Sequence, residues 1–191
     1  MSFVERRVRS KNYLIYVHTE TMPKTVFETY IRKVLKEDGR YGINASTMMA
    51  IDNMLVGKFE DLVKEADKAR TLSGKQDTLS SRDVAAAVKL QGDDGALANA
   101  GSKAVAKYSS ATGAKAKGDQ SARAGLKFPV GTIHRYLKEG INGVNHNKAD
   151  RVAATAAVFM AAVLEALCKN TLVTSTVHAQ GDNRKRTALQ D

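Results

Sequence analysis

The side chains best suited to bind a ligand in this 191-residue chain are basic. The chain has 30 Lys and Arg residues against 20 Asp and Glu residues, so its net charge is +10. Ammonium and guanidinium groups bind phosphate oxygens, and such a charge favours a polyanionic partner. The excess lies in residues 1–40 (9 basic, 5 acidic), 111–127 (4 and 1) and 128–191 (8 and 5), whereas 41–110 is balanced at 9 and 9.

The other reactive side chains form no recognisable catalytic pattern. His18, His134, His146 and His178 are scattered, without Cys or carboxylate partners at the spacing of a metal site. Cys168 is the single cysteine, which fits a reducing compartment, and no third group orients it as a nucleophile. We therefore expect a protein that is not an enzyme and that uses no metal or other cofactor.

Helices are predicted to position the basic residues. The chain has 27 alanines and 2 prolines, a composition that favours an all-α fold. Apolar residues spaced by three and four predict a first helix over 26–39 and a long second helix from Met48 to Ala69. A third helix begins after Ser80, and an Ala-rich fourth spans 96–111.

Two of these helices have capping side chains at their start. Asn44 or Ser46 can cap the long helix, and Ser80 and Asp83 have the spacing of a capping box before the third. The apolar stripe of the long helix needs cover. The long helix either closes with its neighbours into a three- or four-helix bundle or pairs with a second unit of similar shape. The periodicity alone does not distinguish these two arrangements.

Residues 109–127, SSATGAKAKGDQSARAGLK, have no apolar periodicity and are rich in small and basic residues. This composition predicts a flexible connector that divides the chain into two parts. Residues 1–25 are expected to form a basic N-terminal arm. No run approaches the roughly 18 apolar residues of a membrane span, so we expect no membrane contact.

The second half carries sequence phrases of a known family. AGLKFPVGTIHRYLKEG over 124–140 resembles the start of core histone 2A, and ADRVAATAAVFMAAVLEAL over 149–167 resembles that family's second helix. DNRKR over 182–186 resembles the basic loop that follows. The resemblance implies a histone 2A-like fold over 128–191, without the third helix and C-terminal tail of the family.

The first half resembles core histone 2B. The matching phrases are NASTMMAIDNML, TLSSRDVAAAVKL over 78–90 and GSKAVAKYSSA over 101–111. The order is similar to the histone doublets of some large DNA viruses, and a laboratory single-chain fusion has the same layout. The resemblance implies a histone 2B-like fold over 26–110, a basic linker over 111–127, and pairing of the two units as an intramolecular handshake dimer.

The resemblance also implies which residues touch DNA, through phosphate contacts without base reading. The expected DNA contacts, with those of the basic arm last, are Arg135, Lys138, Arg151, Arg184, Lys185, Arg186, Arg123, Lys127, Lys75, Thr78, Arg6, Arg7 and Arg9.

Several positions depart from the family pattern. Thr132 stands where the family usually has an arginine, and Asp77 in the second loop of the first unit would repel phosphate. INGVNHNKAD over 141–150 lengthens the first loop of the second unit. Glu165 is expected to be a remnant of the acidic patch that chromatin factors bind. TLVTSTV over 171–177 is a poor helix former where the long helix should continue.

Two function classes follow. The favoured one is a structural protein that wraps duplex DNA without sequence preference, as the fused 2B–2A part of a nucleosome-like particle. Its implied partners are double-stranded DNA and histones 3 and 4, or a fused equivalent. It would act in host chromatin and the nucleus or, if viral, in the viral factory and virion. The alternative is a histone-fold transcription or assembly factor that pairs with other proteins and binds particular DNA sites.

Overall fold

Helices account for most of the chain in the computed structural model, which describes residues 9–10, 13–14, 25–38, 42–74, 77–92, 95–111, 118–141, 143–181 and 186–187. In these ranges the helices are α1 (Glu28–Asp38), α2 (Ala45–Leu72), α3 (Ser81–Leu90), α4 (Ala96–Ser110), α5 (Gln120–Ala124), α6 (Val130–Glu139) and α7 (Ala154–Gly181). The strands are two residues each: β1 (Arg9–Ser10), β2 (Tyr13–Leu14), β3 (Gly42–Ile43), β4 (Thr78–Leu79), β5 (Arg151–Val152) and β6 (Arg186–Thr187). The predominantly helical class predicted from the sequence is confirmed.

The helix starts in the first half follow from local capping. Asn44 caps α2, because its side-chain oxygen accepts the Thr47 N–H at 2.7 Å. The Ser80 N–H and hydroxyl both donate to the Asp83 carboxylate, at 2.8 and 2.7 Å. The prediction of a reciprocal arrangement at Ser80 and Asp83 is therefore confirmed.

Helix α7 is the centre of the molecule. Every residue from 156 to 165 is buried, and α7 contacts each of the other six described helices. A helix that is apolar on all sides is stable only when it is enclosed. Residues of both halves belong to one hydrophobic core around it, so the chain does not divide into two separately packed cores.

Short parallel strand pairs join the two halves at two places. β4 pairs with β5, with Thr78 opposite Arg151 and Leu79 opposite Val152. β3 pairs with β6 in the same parallel sense. Each pair joins a loop next to a helix of the first half to a loop next to a helix of the second. The halves are thus cross-linked by main-chain hydrogen bonds as well as by the shared core.

The predicted flexible connector is partly folded, which corrects its boundaries. Within 109–127, α4 runs on to Ser110 and residues 120–124 form α5; residues 112–117 lie outside the described part. Ser121 and Ala124 are buried, and the Ser121 hydroxyl oxygen accepts the Val130 N–H at 3.0 Å. Small residues allow this close packing, and five residues are too few to give a periodic signal.

The β-branched stretch 171–177 does not end α7, contrary to its low helix propensity. The Thr171 and Thr174 hydroxyls donate to the carbonyls of Leu167 and Asn170, both at 3.0 Å. Leu172 is fully buried. Tertiary packing outweighs intrinsic propensity here.

The apolar character of α7 also bears on membrane contact. Among the described helices, the segment Ala154–Ser175 alone has the length and composition of a membrane span, with a mean hydropathy of 1.6. The segment includes Glu165 and Lys169, so it is not the uninterrupted apolar run that the sequence expectation concerned. Moreover, 67% of the window is buried inside the protein, as in the core helix of a globular domain.

Candidate nucleic-acid interface

Two helix starts, α1 and α6, lie side by side and are fixed by buried acids. The Asp52 carboxylate on α2 accepts the N–H groups of Val26 and Phe27, at 3.0 and 2.6 Å. In the second half, one oxygen of Glu165 on α7 accepts the N–H groups of Lys127 and Phe128, at 2.6 and 3.1 Å. In both halves, a buried carboxylate on the long helix therefore positions the short helix by accepting two backbone N–H groups.

The β4–β5 pair brings together two of the expected DNA contacts, Thr78 and Arg151. Arg151 is exposed, and its N–H donates to the Asp77 carbonyl at 2.9 Å. His134 on α6 lies 3.0 Å through Nε2 from the Val152 carbonyl, which ties α6 to the same junction. A residue with a hydroxyl and a residue with a guanidinium, one from each half, are thus neighbours across the strand pair, an arrangement suited to one phosphate.

Acidic groups reduce the positive potential at this junction. Asp77 is exposed beside Arg151, and Asp150 precedes it. The Asp67 carboxylate accepts the Lys148 N–H at 3.1 Å and is paired with buried Arg70 at 2.7 Å. The loop 141–150, which contains Lys148, is therefore anchored to the C-terminal end of α2.

The described part of the loop 141–150 is held by Asn145 and Asn147. Asn147 is buried; its side-chain amide donates to the Leu137 carbonyl at 2.8 Å and accepts the Ala149 N–H at 3.0 Å. The Asn145 amide donates to the Lys138 carbonyl at 2.7 Å. These bonds give the loop a defined course between α6 and β5.

On α6, Arg135 and Lys138 are both exposed, and neither forms an ion pair with a described residue. The Arg135 guanidinium lies 5.5 Å from the centroid of the Tyr136 ring. Both cations are available to solvent and hence to an anionic ligand.

Lys127 and Glu165 have roles that the sequence did not indicate. The Lys127 ammonium pairs with Glu37 on α1 at 2.8 Å, and this hydrogen bond lowers the pKa of the Glu37 carboxyl below its usual 4.5. Glu165 is 5% exposed and also accepts a hydrogen bond from Lys169 at 2.9 Å. The interpretation of Glu165 as a surface acidic patch is therefore wrong, because its carboxylate is used inside the protein.

Arg123 lies on α5. Its guanidinium carbon is 4.4 Å from the centroid of the Tyr108 ring on α4. Its Nε is buried and has no hydrogen-bond partner among the described residues.

The remaining expected contacts are described partly or not at all. Arg186 lies on β6 opposite Gly42, and Arg9 lies on β1 opposite Leu14; for both, the backbone alone is described. The expected contacts outside the described residues are Arg6, Arg7, Lys75, Arg184 and Lys185.

The charge of this surface is strongly segregated along the chain. Residues 95–138, which contain α4, α5 and all of α6 except its last residue Glu139, carry eight basic side chains and a single acid, Asp119. Sequence reasoning assigned Lys107 and Tyr108 no role, although a basic residue next to an aromatic one in this acid-poor stretch was a usable signal. It also missed Asp52, a lone carboxylate beside the apolar stripe of the long helix.

No protein-family model matches this chain. Within the described residues, no three His, Cys, Asp or Glu side chains are grouped so that they could hold a metal ion. A function for this protein therefore has to be inferred from the contacts and charges of its described residues.

Proposed function

We propose that the chain is a structural DNA-packaging protein, in which a histone 2B-like unit and a histone 2A-like unit of one polypeptide pair as a handshake dimer. The long helix α2 is flanked by the shorter α1 and α3, the long helix α7 is preceded by the shorter α6, and the halves share one core. The parallel pairs β3–β6 and β4–β5 connect the loops of one half to those of the other, as head-to-tail pairing requires.

One observation supports this function most strongly. Thr78 and Arg151, expected from separate halves as DNA contacts, are direct partners across β4 and β5. Their meeting depends on how the halves pair, and charge alone does not produce it. A duplex lying across this junction would meet a hydroxyl and a guanidinium at one phosphate.

The cations favour binding without sequence preference. Arg135, Lys138 and Arg151 are exposed on short, rigid elements, where they can reach phosphates. A surface that relies on phosphate contacts and DNA bending binds many sequences similarly and loses affinity steeply with salt. The expected partners are double-stranded DNA and histones 3 and 4 or a fused equivalent, in chromatin or, for a viral protein, in the viral factory and virion.

The decisive test is nuclease protection of long random-sequence DNA mixed with the protein, with and without a tetramer of histones 3 and 4. A discrete protected length when both are present supports nucleosome-like packaging. Competition between duplexes separates the alternative, since a preference of about tenfold for one site indicates a histone-fold transcription or assembly factor. Binding that is undetectable at physiological salt overturns both.

A further inference from the structure

The junction between α4 and α5 holds two basic side chains that form no ion pair with a carboxylate in the described part of the chain. Lys107, in the last turn of α4, is exposed, and its side chain lies against Gly125, filling the space that a Cβ there would occupy. Arg123 precedes Gly125 by two residues and stacks on Tyr108, the residue after Lys107. Lys107 and Arg123 therefore both lie where α4 meets α5.

Their surroundings lack the acidic partners that some other basic residues of this protein have. α4 and α5 contain no Asp or Glu. Asp119, at the N-cap of α5, forms no ion pair with Arg123, and the buried Nε of Arg123 makes no hydrogen bond with any described residue. By contrast, Arg32 and Lys127 are each paired with a glutamate.

Apart from its contact with Tyr108, the half-buried Arg123 guanidinium forms no ion pair or hydrogen bond with a described residue, so it can bind an anion without first breaking an internal bond. The Tyr108 ring holds the guanidinium plane in place without using any of its N–H donors. Gly125 has φ +71° and no side chain, which leaves room for the Lys107 ammonium beside it. The Arg123 guanidinium is thus held in one position beside the more flexible Lys107 ammonium, and the two groups together can bind a phosphate.

We propose that Lys107 and Arg123 form a binding site for a DNA backbone phosphate at the α4–α5 junction, with Tyr108 as the residue that positions the guanidinium. This inference rests on the proposed packaging function; to Arg123, already an expected DNA contact, it adds Lys107 as a second ligand of the same phosphate and Tyr108 as the positioning residue. On this proposal the role of α5 is to position Arg123, because a flexible connector would leave that side chain without a defined position.

The test measures binding of a random duplex of about 30 base pairs by fluorescence anisotropy, from about 50 to 200 mM salt. The variants are Lys107→Gln, Arg123→Gln and the double variant, with Lys89→Gln as control. Lys89 is also exposed and in the last turn of its helix, α3, but lies outside the acid-poor stretch. Each single variant should weaken binding about fivefold at physiological salt and reduce the slope of log Kd against log salt by about 0.9. The double variant should lose about the same slope as either single variant, because both side chains serve one phosphate, and the control should match the wild type.

Two tyrosine variants test the positioning role. Tyr108→Phe keeps the ring and should bind like the wild type, whereas Tyr108→Ala should weaken binding about as much as Arg123→Gln. Circular dichroism confirms that each variant is folded. If Lys107→Gln and Arg123→Gln match the Lys89→Gln control while the wild type still shows a steep salt dependence, the site is wrong and the packaging function stands. If the wild type binds no duplex, both fail.

Discussion

The rings of Phe27 and Phe128 lie 5.7 Å apart, centroid to centroid, and the backbone N–H of each donates to a buried acid from a long helix. Asp52 accepts the first and Glu165 the second, at 2.6 and 3.1 Å. The two halves therefore place their first helices by the same rule and join them through one aromatic contact. In this way the acids fix the relative position of the surfaces that carry Arg32 and Arg135.

Replacing either acid should destabilise the protein strongly. Asp52→Ala and Glu165→Ala each leave two backbone N–H groups without their acceptor, so each should lower the free energy of unfolding by about 3 kcal/mol. Urea denaturation measures this. Asp61→Asn is the control, since Asp61 forms an exposed pair with Lys64 at 3.7 Å and should cost no more than about 0.5 kcal/mol. Losses below about 1 kcal/mol for both alanine variants would contradict the role assigned to these acids.

Gly101 on α4 should not tolerate a methyl group. A Cβ at this position would lie 2.5 Å from the Phe159 ring on α7, so Gly101→Ala should destabilise the protein by about 1–3 kcal/mol. Gly57→Ala is a matched control in α2, because nothing lies within 4 Å of its Cβ. It should stabilise the protein by about 0.5–1 kcal/mol through helix propensity. Thermal unfolding compares the two, and a Gly101→Ala midpoint at or above the wild-type value would show that α4 does not pack as described.

The β4–β5 junction should respond to charge in both directions. Arg151→Gln should weaken binding to random duplexes and reduce the salt slope by about 0.9, as for the loss of one phosphate contact. Asp77→Asn should instead tighten binding, because it removes an exposed negative charge next to Arg151. Anisotropy titrations at two salt concentrations measure both variants. Unchanged affinity for both would place DNA elsewhere on the protein.

The Glu37–Lys127 pair should give a small, acid-sensitive contribution to stability. Lys127 lowers the pKa of the Glu37 carboxyl in the folded state, so the contribution is complete above the usual value of 4.5. It is lost as the pH falls through the lowered folded-state pKa. The thermal midpoints of wild type and Lys127→Gln should therefore differ at neutral pH and converge in strong acid. High salt should shrink the difference, because both side chains are exposed. A gap that widens as the pH falls would refute the assignment.

Sequence reasoning was accurate where a signal was local and repeated. The stripe from Met48 to Ala69 lies within α2, and the Ser80–Asp83 spacing correctly predicted the start of α3. Its failures concern groups whose environment is set by distant residues. Glu165 reads as a surface acid because nothing near it in sequence shows that Phe128, 37 residues earlier, uses its carboxylate.

The connector shows the same limit. α5 carries small residues whose burial depends on α4 and α6, so its sequence resembles that of a flexible tether. Likewise, Arg123 is recognisable as a cation from sequence, but its stacking on Tyr108 depends on the way in which α5 docks. Composition therefore predicted the sign of the charge in this region but not its geometry.

The central position of α7 has a consequence for biosynthesis. α3 ends at Leu90 and α7 at Gly181, so a ribosome that adds about 5–20 residues per second needs on the order of 5–20 s between them. Throughout that interval the apolar faces of α2 and α3 have been synthesised while the helix that covers them is incomplete. We therefore expect the nascent chain to be prone to aggregation until translation has passed α7, and slow codons upstream of residue 154 to lengthen this exposure.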